Sequence, residues 1–359
     1  MKIRPFSFTR YGVNMAQLKD DTLINKSSTM LADADYEKIK NARLYSNIDE
    51  ISPEEIIDRA REAQIRDERD GYPISEKLEA CVNRKNIIIL VDAVDDEPYI
   101  TSQMCTLVHY KKELAEGIEL VLKATGAKGC IIETYLKNSS VEVKNIVPKK
   151  IAKYKVKSLN VKYPAEIRIK KLMYTYNNHQ YIYIGACSLV HLARAVYSGI
   201  KHTTAMVTVA GSAVAHPQVV EATIGTPISD LLERTGFNKK PSRIIIGGSL
   251  TGRAIRDFDG EEVELNTQGV LAINDRDTYK DYTCIRCGKC IDVCPMRLNP
   301  MELYKNIVRE NENNADRINM LDGKMCISCM CCSYVCPAKI NLAETILLHN
   351  RRNRFKDEV

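Results

Sequence analysis

The chain has 359 residues, a length that suits two or three domains, and 45% of them are hydrophobic, enough for ordinary buried cores. No run of about 18 apolar residues occurs, so no transmembrane helix is expected, and the start MKIRPFSFTRYGV lacks the apolar stretch of a secretory signal. The formal charge is +6 at pH 7, without a basic stripe carrying interleaved aromatics, which argues against nucleic acid as a partner.

Residues 1–50 are polar and charged with little periodicity. Ser52-Pro53-Glu54-Glu55 then predicts a helix start, with Ser as N-cap, Pro in the first turn and Glu at the third position. Ile56, Ile57, Ala60 and Ala63 give that helix an apolar face, and the charged stretch RDERDGY, 66–72, interrupts it. NIIILVDAV, 86–94, suits a strand buried on both faces. One helix is expected from about Thr101 to Thr125, closed by Gly126, followed by a second buried strand, CIIETY, at 130–135. Strand, helix and strand in this order predict a parallel sheet. Strands follow between 156 and 184, with Asn177-Asn178 as a hairpin turn, and then a helix from Ala186 to Tyr197 ended by Gly199. Residues 203–236 form a compact β-rich unit, and RIIIGG and GVLAI add strands at 243–248 and 269–273. The tail RRNRFKDEV is expected to be frayed.

The last 80 or so residues hold the one internal repeat. CIRCGKCIDVCP, 284–295, and CISCMCCSYVCP, 326–337, both fit C-x2-C-x2-C-x3-C-P, and each leads into a helix start. This is the spacing of two-cluster bacterial ferredoxins, in which the fourth cysteine of each run ligates the other cluster. One [4Fe–4S] cluster would take Cys284, Cys287, Cys290 and Cys336, and the other Cys294, Cys326, Cys329 and Cys332. Zinc, the competing metal, has no use for the third and fourth cysteines at these offsets. Cys331 is spare, either a small buried hydrophobe or a thiol that tunes its cluster. Cys81, Cys105, Cys130 and Cys187 have no ligand spacing and read as core thiols, and His109 and His191 read as structural. Thirteen cysteines without a leader favour the cytoplasm, where thiols bind metal rather than pair as disulfides.

At this point the chain resembles the RnfC family, the peripheral subunit of the Rnf ferredoxin–NAD redox complex. Relatives of that family include a proline-reductase-associated electron transfer protein and a cobalamin reductase. The matching stretches are ISPEEIIDRAREAQI, VDAVDDEPYIT, KYP at 162–164, VTVAGSAVAHPQVVEATIGTPISDLLERTG, IIIGGSLTGRAI, NTQGVLA and both cysteine runs, in order over roughly residues 50–345. The resemblance implies an α/β multidomain fold. Residues 1–49 would be an N-terminal extension without the family's barrel-sandwich domain. Residues 50–200 would be a Rossmann-like parallel-sheet domain, 201–275 a β-grasp SLBB domain with following strands, and 276–359 an α-helical ferredoxin domain.

The sequence departs from the family where RDERDGYPIS, 66–75, replaces a glycine-rich flavin-phosphate loop of the type GLGGAGFPT. Such a loop needs glycines so that backbone N–H groups can nest the anion. Asp67, Glu68 and Asp70 would instead meet a phosphate with like charge, at about 4 kcal/mol per contact for ~4 Å and an effective dielectric of ~20. Arg66 and Arg69 offset part of this. Asp96 stands where the family has cysteine, and Asp95-Asp96-Glu97 reads as a structural strand-end turn. The expectation is therefore that FMN and NADH are unlikely cofactors and that the two clusters are the whole redox machinery.

The leading reading is a non-catalytic carrier passing single electrons between protein redox partners such as a flavoprotein, a ferredoxin or reductase subunits, in an anaerobic setting. No catalytic residue is assigned. An NADH- or flavin-dependent reductase subunit and an SLBB ligand-binding subunit with structural clusters are the alternatives. The carrier would be cytoplasmic and at most peripheral on the cytoplasmic face of the membrane, through its partners.

Overall fold

The computed structural model describes residues 43–357 except 83, 137–138, 140, 161, 166–179, 237–240, 256–259, 275–281 and 310–313. The turn expected at Asn177-Asn178 and most of the stretch 1–49 lie outside the described residues. The chain forms two compact units, Met1–Asp275 and Arg276–Val359. Among the described residues no helix is long and apolar enough to cross a membrane.

The first unit opens with α1 (Pro53–Glu62), where the Ser52 hydroxyl accepts the Glu55 amide at 3.1 Å, as the sequence predicts. Next come α2 (Ile74–Glu79), β1 (Ile87–Ala93), α3 (Ser102–His109), α4 (Lys111–Thr125) and β2 (Gly129–Thr134). They are followed by α5 (Val141–Ile146), β3 (Lys150–Ile151), β4 (Tyr154–Ser158), β5 (Gln180–Gly185) and α6 (Ala186–Ser198). The single helix expected over 101–125 is two. It breaks at Tyr110 (φ −109°, ψ 34°), whose buried ring sends its hydroxyl to Glu221 at 2.8 Å, a tertiary contact that outweighs local propensity.

These strands form one sheet in the order β3-β4-β2-β1-β5, parallel from β4 through β5. The apolar run of β1 serves both faces. Ile87, Ile89, Val91 and Ala93 pack under the helices, and Leu90 and Val94 face a second cluster with Tyr135 and Leu159. Successive crossovers leave β1 toward β2 on one side while β5 lies on the other. The carboxyl ends of β1 and β5 therefore flank a switch in strand order, the crevice where open α/β sheets take ligands.

The second sheet comprises β6 (Thr204–Ala210), β7 (Gln218–Thr223), then α7 (Ile228–Arg234), β8 (Arg243–Ile246), β9 (Arg253–Ile255) and β10 (Gly269–Ile273). Its order is β7-β6-β10-β8-β9, with β10 parallel to β6 beside the β6–β7 hairpin and Ile228, Leu231 and Leu232 of α7 in its core. That is the β-grasp arrangement expected for an SLBB domain.

The second unit is helical: α8 (Lys289–Val293), α9 (Pro300–Val308), α10 (Asn314–Met320), α11 (Cys331–Val335) and α12 (Leu342–Asp357). Asn299 caps α9 through the Glu302 amide at 3.1 Å. The frayed tail expected from the sequence is instead helical to Asp357, since neither Gly nor Pro interrupts 342–357.

Candidate functional site

The two cysteine runs adopt the same backbone path. Arg286 and Ser328 both have φ 55°, Gly288 and Met330 have φ 75° and 59°, and Arg297 and Lys339 have φ 58° and 55°. The fourth cysteines match as well: Cys294 sits at φ −65°, ψ 116° and Cys336 at φ −67°, ψ 115°. Left-handed residues in such loops turn neighbouring backbone amides to one side, as in the nests of anion and iron–sulfur sites. Accordingly the Arg286 amide reaches Cys284 Sγ at 3.4 Å and the Leu298 amide reaches Cys294 Sγ at 3.3 Å.

Cys284, Cys287, Cys290 and Cys336 line one cavity, with Ile285, Lys289 and Leu342 in its wall. Cys294, Cys326, Cys329 and Cys332 line another, closed by Leu298, Ala343 and Ile346. Each cavity thus combines cysteines of both runs: three of the first run with Cys336 in one, and Cys294 with the second run's cysteines in the other. Cys331 lines the second cavity and is buried. Among the described residues no three His, Cys, Asp or Glu side chains converge on a point as a lone ion requires. The cysteines ring hollows, and an all-thiolate donor set with inward amides at this spacing fits an iron–sulfur cluster. Burial pushes the Cys332 thiol up to about 12, and thiolate ligation must overcome that cost.

In the first unit the stretch 66–72 lies at the carboxyl ends of β1 and β5. Asp67 is fully buried and takes Lys77 Nζ at 2.6 Å and the Gly185 amide at 3.2 Å. The Glu68 carboxylate sits on the first turn of α6, accepting the Cys187 amide at 3.1 Å, the Ser188 amide at 3.0 Å and the Ser188 hydroxyl, with Gln103 Nε2 at 3.1 Å. Glycine at 185 leaves room for this carboxylate, since a Cβ there would lie 2.1 Å from Glu68 Oε1 and force it to move. Arg69 Nε pairs with Asp92 at 2.5 Å, and Asp70 shares Lys77 at 2.6 Å. Burial, then the neighbouring Asp67, pushes Glu68 up to about 7. The Ser188 hydroxyl opposes that rise.

The acidic turn is equally engaged. Asp95 accepts the Gln103 and Met104 amides at 3.2 and 2.7 Å and caps α3, while burial raises it to about 6. Asp96 takes the Ala165 amide. Glu97 accepts the Leu250 amide at 2.9 Å and the Thr251 amide at 3.1 Å, and a Cβ at Gly248 would collide with its carboxyl group at 2.4 Å. Lys77, Gly185, Ser188 and Glu97 were not singled out from the sequence for these roles. The only local trace was glycine directly before a helix start, as in GACSL at 185–189. His191 stacks on His202 at 4.0 Å between ring centroids, and burial holds His202 down at about 4, so the pair is neutral and structural.

Three family models match the chain: the Nuo51 FMN-binding domain over residues 61–182, the NQRA C-terminal domain over 206–257, and the 4Fe-4S dicluster domain over 283–340. Among curated relatives, the RnfC-type protein of the ion-translocating oxidoreductase complex of Buchnera aphidicola subsp. Baizongia pistaciae is 26% identical, covering 70% of this chain and 52% of the relative. Its counterpart in the Na(+)-translocating ferredoxin:NAD(+) oxidoreductase complex of Acetobacterium woodii is 26% identical over 70% of this chain and 60% of the relative. The counterpart in the proton-translocating ferredoxin:NAD(+) oxidoreductase complex of Clostridium ljungdahlii is 25% identical over 77% and 64%. The chain thus spans about half to two thirds of the length of these relatives. A solved NAD+-reducing [NiFe]-hydrogenase chain shares the fold, with a TM-score of 0.53 at 15% identity, over 86% of this chain and 63% of that one.

The chain thus matches, in order, an FMN-binding domain, an SLBB-type domain and a 4Fe-4S dicluster domain. The three domain matches and the curated relatives together support an RnfC-like assignment.

The expectation that FMN and NADH are unlikely is overturned by the match of residues 61–182 to an FMN-binding domain. The repulsion behind that expectation was overcounted. Asp67 and Asp70 share Lys77, the Arg69 cation is held by Asp92, and Glu68 is raised toward neutrality, so the stretch carries little unpaired negative charge. Within it the Asp67, Glu68, Arg69, Gly71 and Tyr72 amides are all bonded inside the protein, which is not the open nest that a phosphate needs.

Proposed function

We propose that this chain relays single electrons through two [4Fe–4S] clusters as the RnfC-like member of an Rnf-like oxidoreductase complex. Cys284, Cys287, Cys290 and Cys336 hold one cluster, and Cys294, Cys326, Cys329 and Cys332 hold the other. The carrying observation is the pair of cavities, in each of which the fourth cysteine of one run, Cys336 or Cys294, joins the first three ligand cysteines of the other. Crossed ligation ties the two runs into one small unit, so electrons pass between neighbouring clusters without leaving it. Residues 50–200 and 201–275 act as the Rossmann-like and SLBB domains, 276–359 as the ferredoxin domain, and 1–49 as an extension. The partners are other redox subunits of the complex, to which the chain docks from outside the membrane.

A second reading, an NADH- or flavin-dependent reductase subunit, is favoured by the FMN-binding domain match. Anaerobic purification tests both. The relay requires about eight irons and eight sulfides per chain and a paramagnetic signal on dithionite reduction. Iron near four per chain contradicts it. Bleaching of the cluster absorbance by NADH alone, with no partner present, selects the reductase.

A further inference from the structure

We propose that the β3–β4 hairpin at the edge of the first sheet docks on a membrane leaflet rich in anionic lipid headgroups. The inference rests on the first unit alone and is independent of the cluster assignment. Residues 144–162, KNIVPKKIAKYKVKSLNVK, hold seven lysines and no Asp, Glu or Arg. The whole chain is +6 and this stretch is +7, so all the other residues together carry −1. The net positive charge of the chain is therefore concentrated here. All seven lysines are exposed. Lys153 holds Glu119 at 3.0 Å, and Lys157 lies opposite Glu133 on β2. Lys144, Lys149, Lys150, Lys155 and Lys162 make no ion pair among the described residues.

The hairpin sets these lysines against one another. Ile151 and Tyr154 pair across the two strands and turn into the core under the helices, with Val156 beside them. The alternate residues Lys150, Lys155 and Lys157 therefore share the opposite face. Lys150 and Lys155 are direct cross-strand partners, and like charges so placed destabilise a hairpin. An anionic surface over them relieves that repulsion. β3 is the outermost strand of the sheet, and lysine on an edge strand blocks pairing with another chain. That purpose accounts for Lys150, but not for Lys155 opposite it, Lys144 on α5 or Lys162 beyond β4. Protein interfaces favour aromatic and Arg anchors and are poor in Lys. Among the described residues no exposed large hydrophobic side chain falls within 144–162, and Tyr154 is buried. Point charges without an apolar anchor or a guanidinium fork suit a diffuse anionic surface, which is how lysine clusters are held at a membrane.

The test is flotation of the full chain, purified anaerobically, with vesicles of phosphatidylglycerol and phosphatidylcholine or of phosphatidylcholine alone. The chain should float with the mixed vesicles at about 0.1 M salt and not with phosphatidylcholine. It should be released at about 1 M, where the screening length falls from about 10 Å to about 3 Å. Lys150→Gln with Lys155→Gln should weaken binding about 30-fold, at about fivefold per lysine. The same variant should unfold at or above the parent's urea midpoint, because a repulsion has been removed. Lys144→Gln with Lys162→Gln, outside the two strands, should weaken binding in the same direction. Lys111→Gln with Lys112→Gln removes as much charge from the start of α4 and should leave binding near the parent value. No flotation of the parent with mixed vesicles at about 0.1 M salt, or equal losses in the hairpin and α4 variants, overturns the inference. Capture by polyglutamate where mixed vesicles fail assigns the patch to an acidic protein and overturns it as well.

Discussion

Replacing Glu221 by Gln tests how the two sheets of the first unit are held together. Glu221 on β7 accepts Arg194 of α6 at 2.5 Å, the Thr204 hydroxyl at 2.9 Å and the Tyr110 hydroxyl at 2.8 Å. The side chains of Arg194 and Glu221 are 3% and 7% exposed. Burial alone would raise this carboxyl group, but Arg194 and the hydroxyls bring it down from 4.5 to about 2. A drop of that size corresponds to roughly 3 kcal/mol of preference for the ionised form. A buried pair broken on one side costs about 3–5 kcal/mol, against about 0–1 for an exposed pair. Gln keeps the shape and loses the charge, so a loss of about 3 kcal/mol is expected. The contribution is fully present above the unfolded value near 4.5 and disappears as pH falls toward 2, so pH 7 lies on its plateau. The assay is anaerobic urea unfolding followed by far-ultraviolet circular dichroism. Arg194→Met with Glu221→Gln should cost less than the sum of the single changes, because neither charge of the pair is left buried without the other. A loss under about 1 kcal/mol for Glu221→Gln, or strict additivity in the double variant, refutes the reasoning.

Gly185→Ala should lower the thermal midpoint through overpacking, at a cost of about 1–3 kcal/mol, because the new Cβ would drive the Glu68 carboxylate off α6. Gly129→Ala on β2 meets nothing within 4 Å and should be near neutral, so equal effects at the two glycines would contradict the packing argument. Ser52→Ala and Asn299→Ala each remove a side-chain cap and should cost about 1 kcal/mol. If neither moves the unfolding midpoint, these helix starts are held by tertiary packing alone.

Local signals were legible in the sequence where their partners are close by. Ser52 and Asn299 cap helices three residues away, Gly126 and Gly199 close α4 and α6 in the left-handed conformation, and the unbroken apolar run of β1 is buried on both faces. The cysteine repeat was legible as spacing. That Cys336 shares a wall with Cys284, and Cys294 with Cys326, is a statement about folding of the two runs together. What could not be read was the neutralisation of the acidic stretch. Glu68 finds Cys187 and Ser188 about 120 residues on, and Glu97 finds Leu250 and Thr251 more than 150 residues on. A count of charges along 66–72 sees the carboxylates and not these distant donors. That is why it argued too strongly against a nucleotide. The break at Tyr110 was hidden for the same reason, since its hydroxyl partner is Glu221.

The central claim, crossed ligation of two clusters, is tested most directly by iron content in Cys284→Ala, Cys336→Ala and the double variant, all purified anaerobically. Both cysteines wall the first cavity although they belong to different runs. If they serve one cluster, each single variant and the double variant should retain about four irons and a single reduced cluster signal. If each run instead holds its own cluster, the double variant should lose both clusters and nearly all its iron.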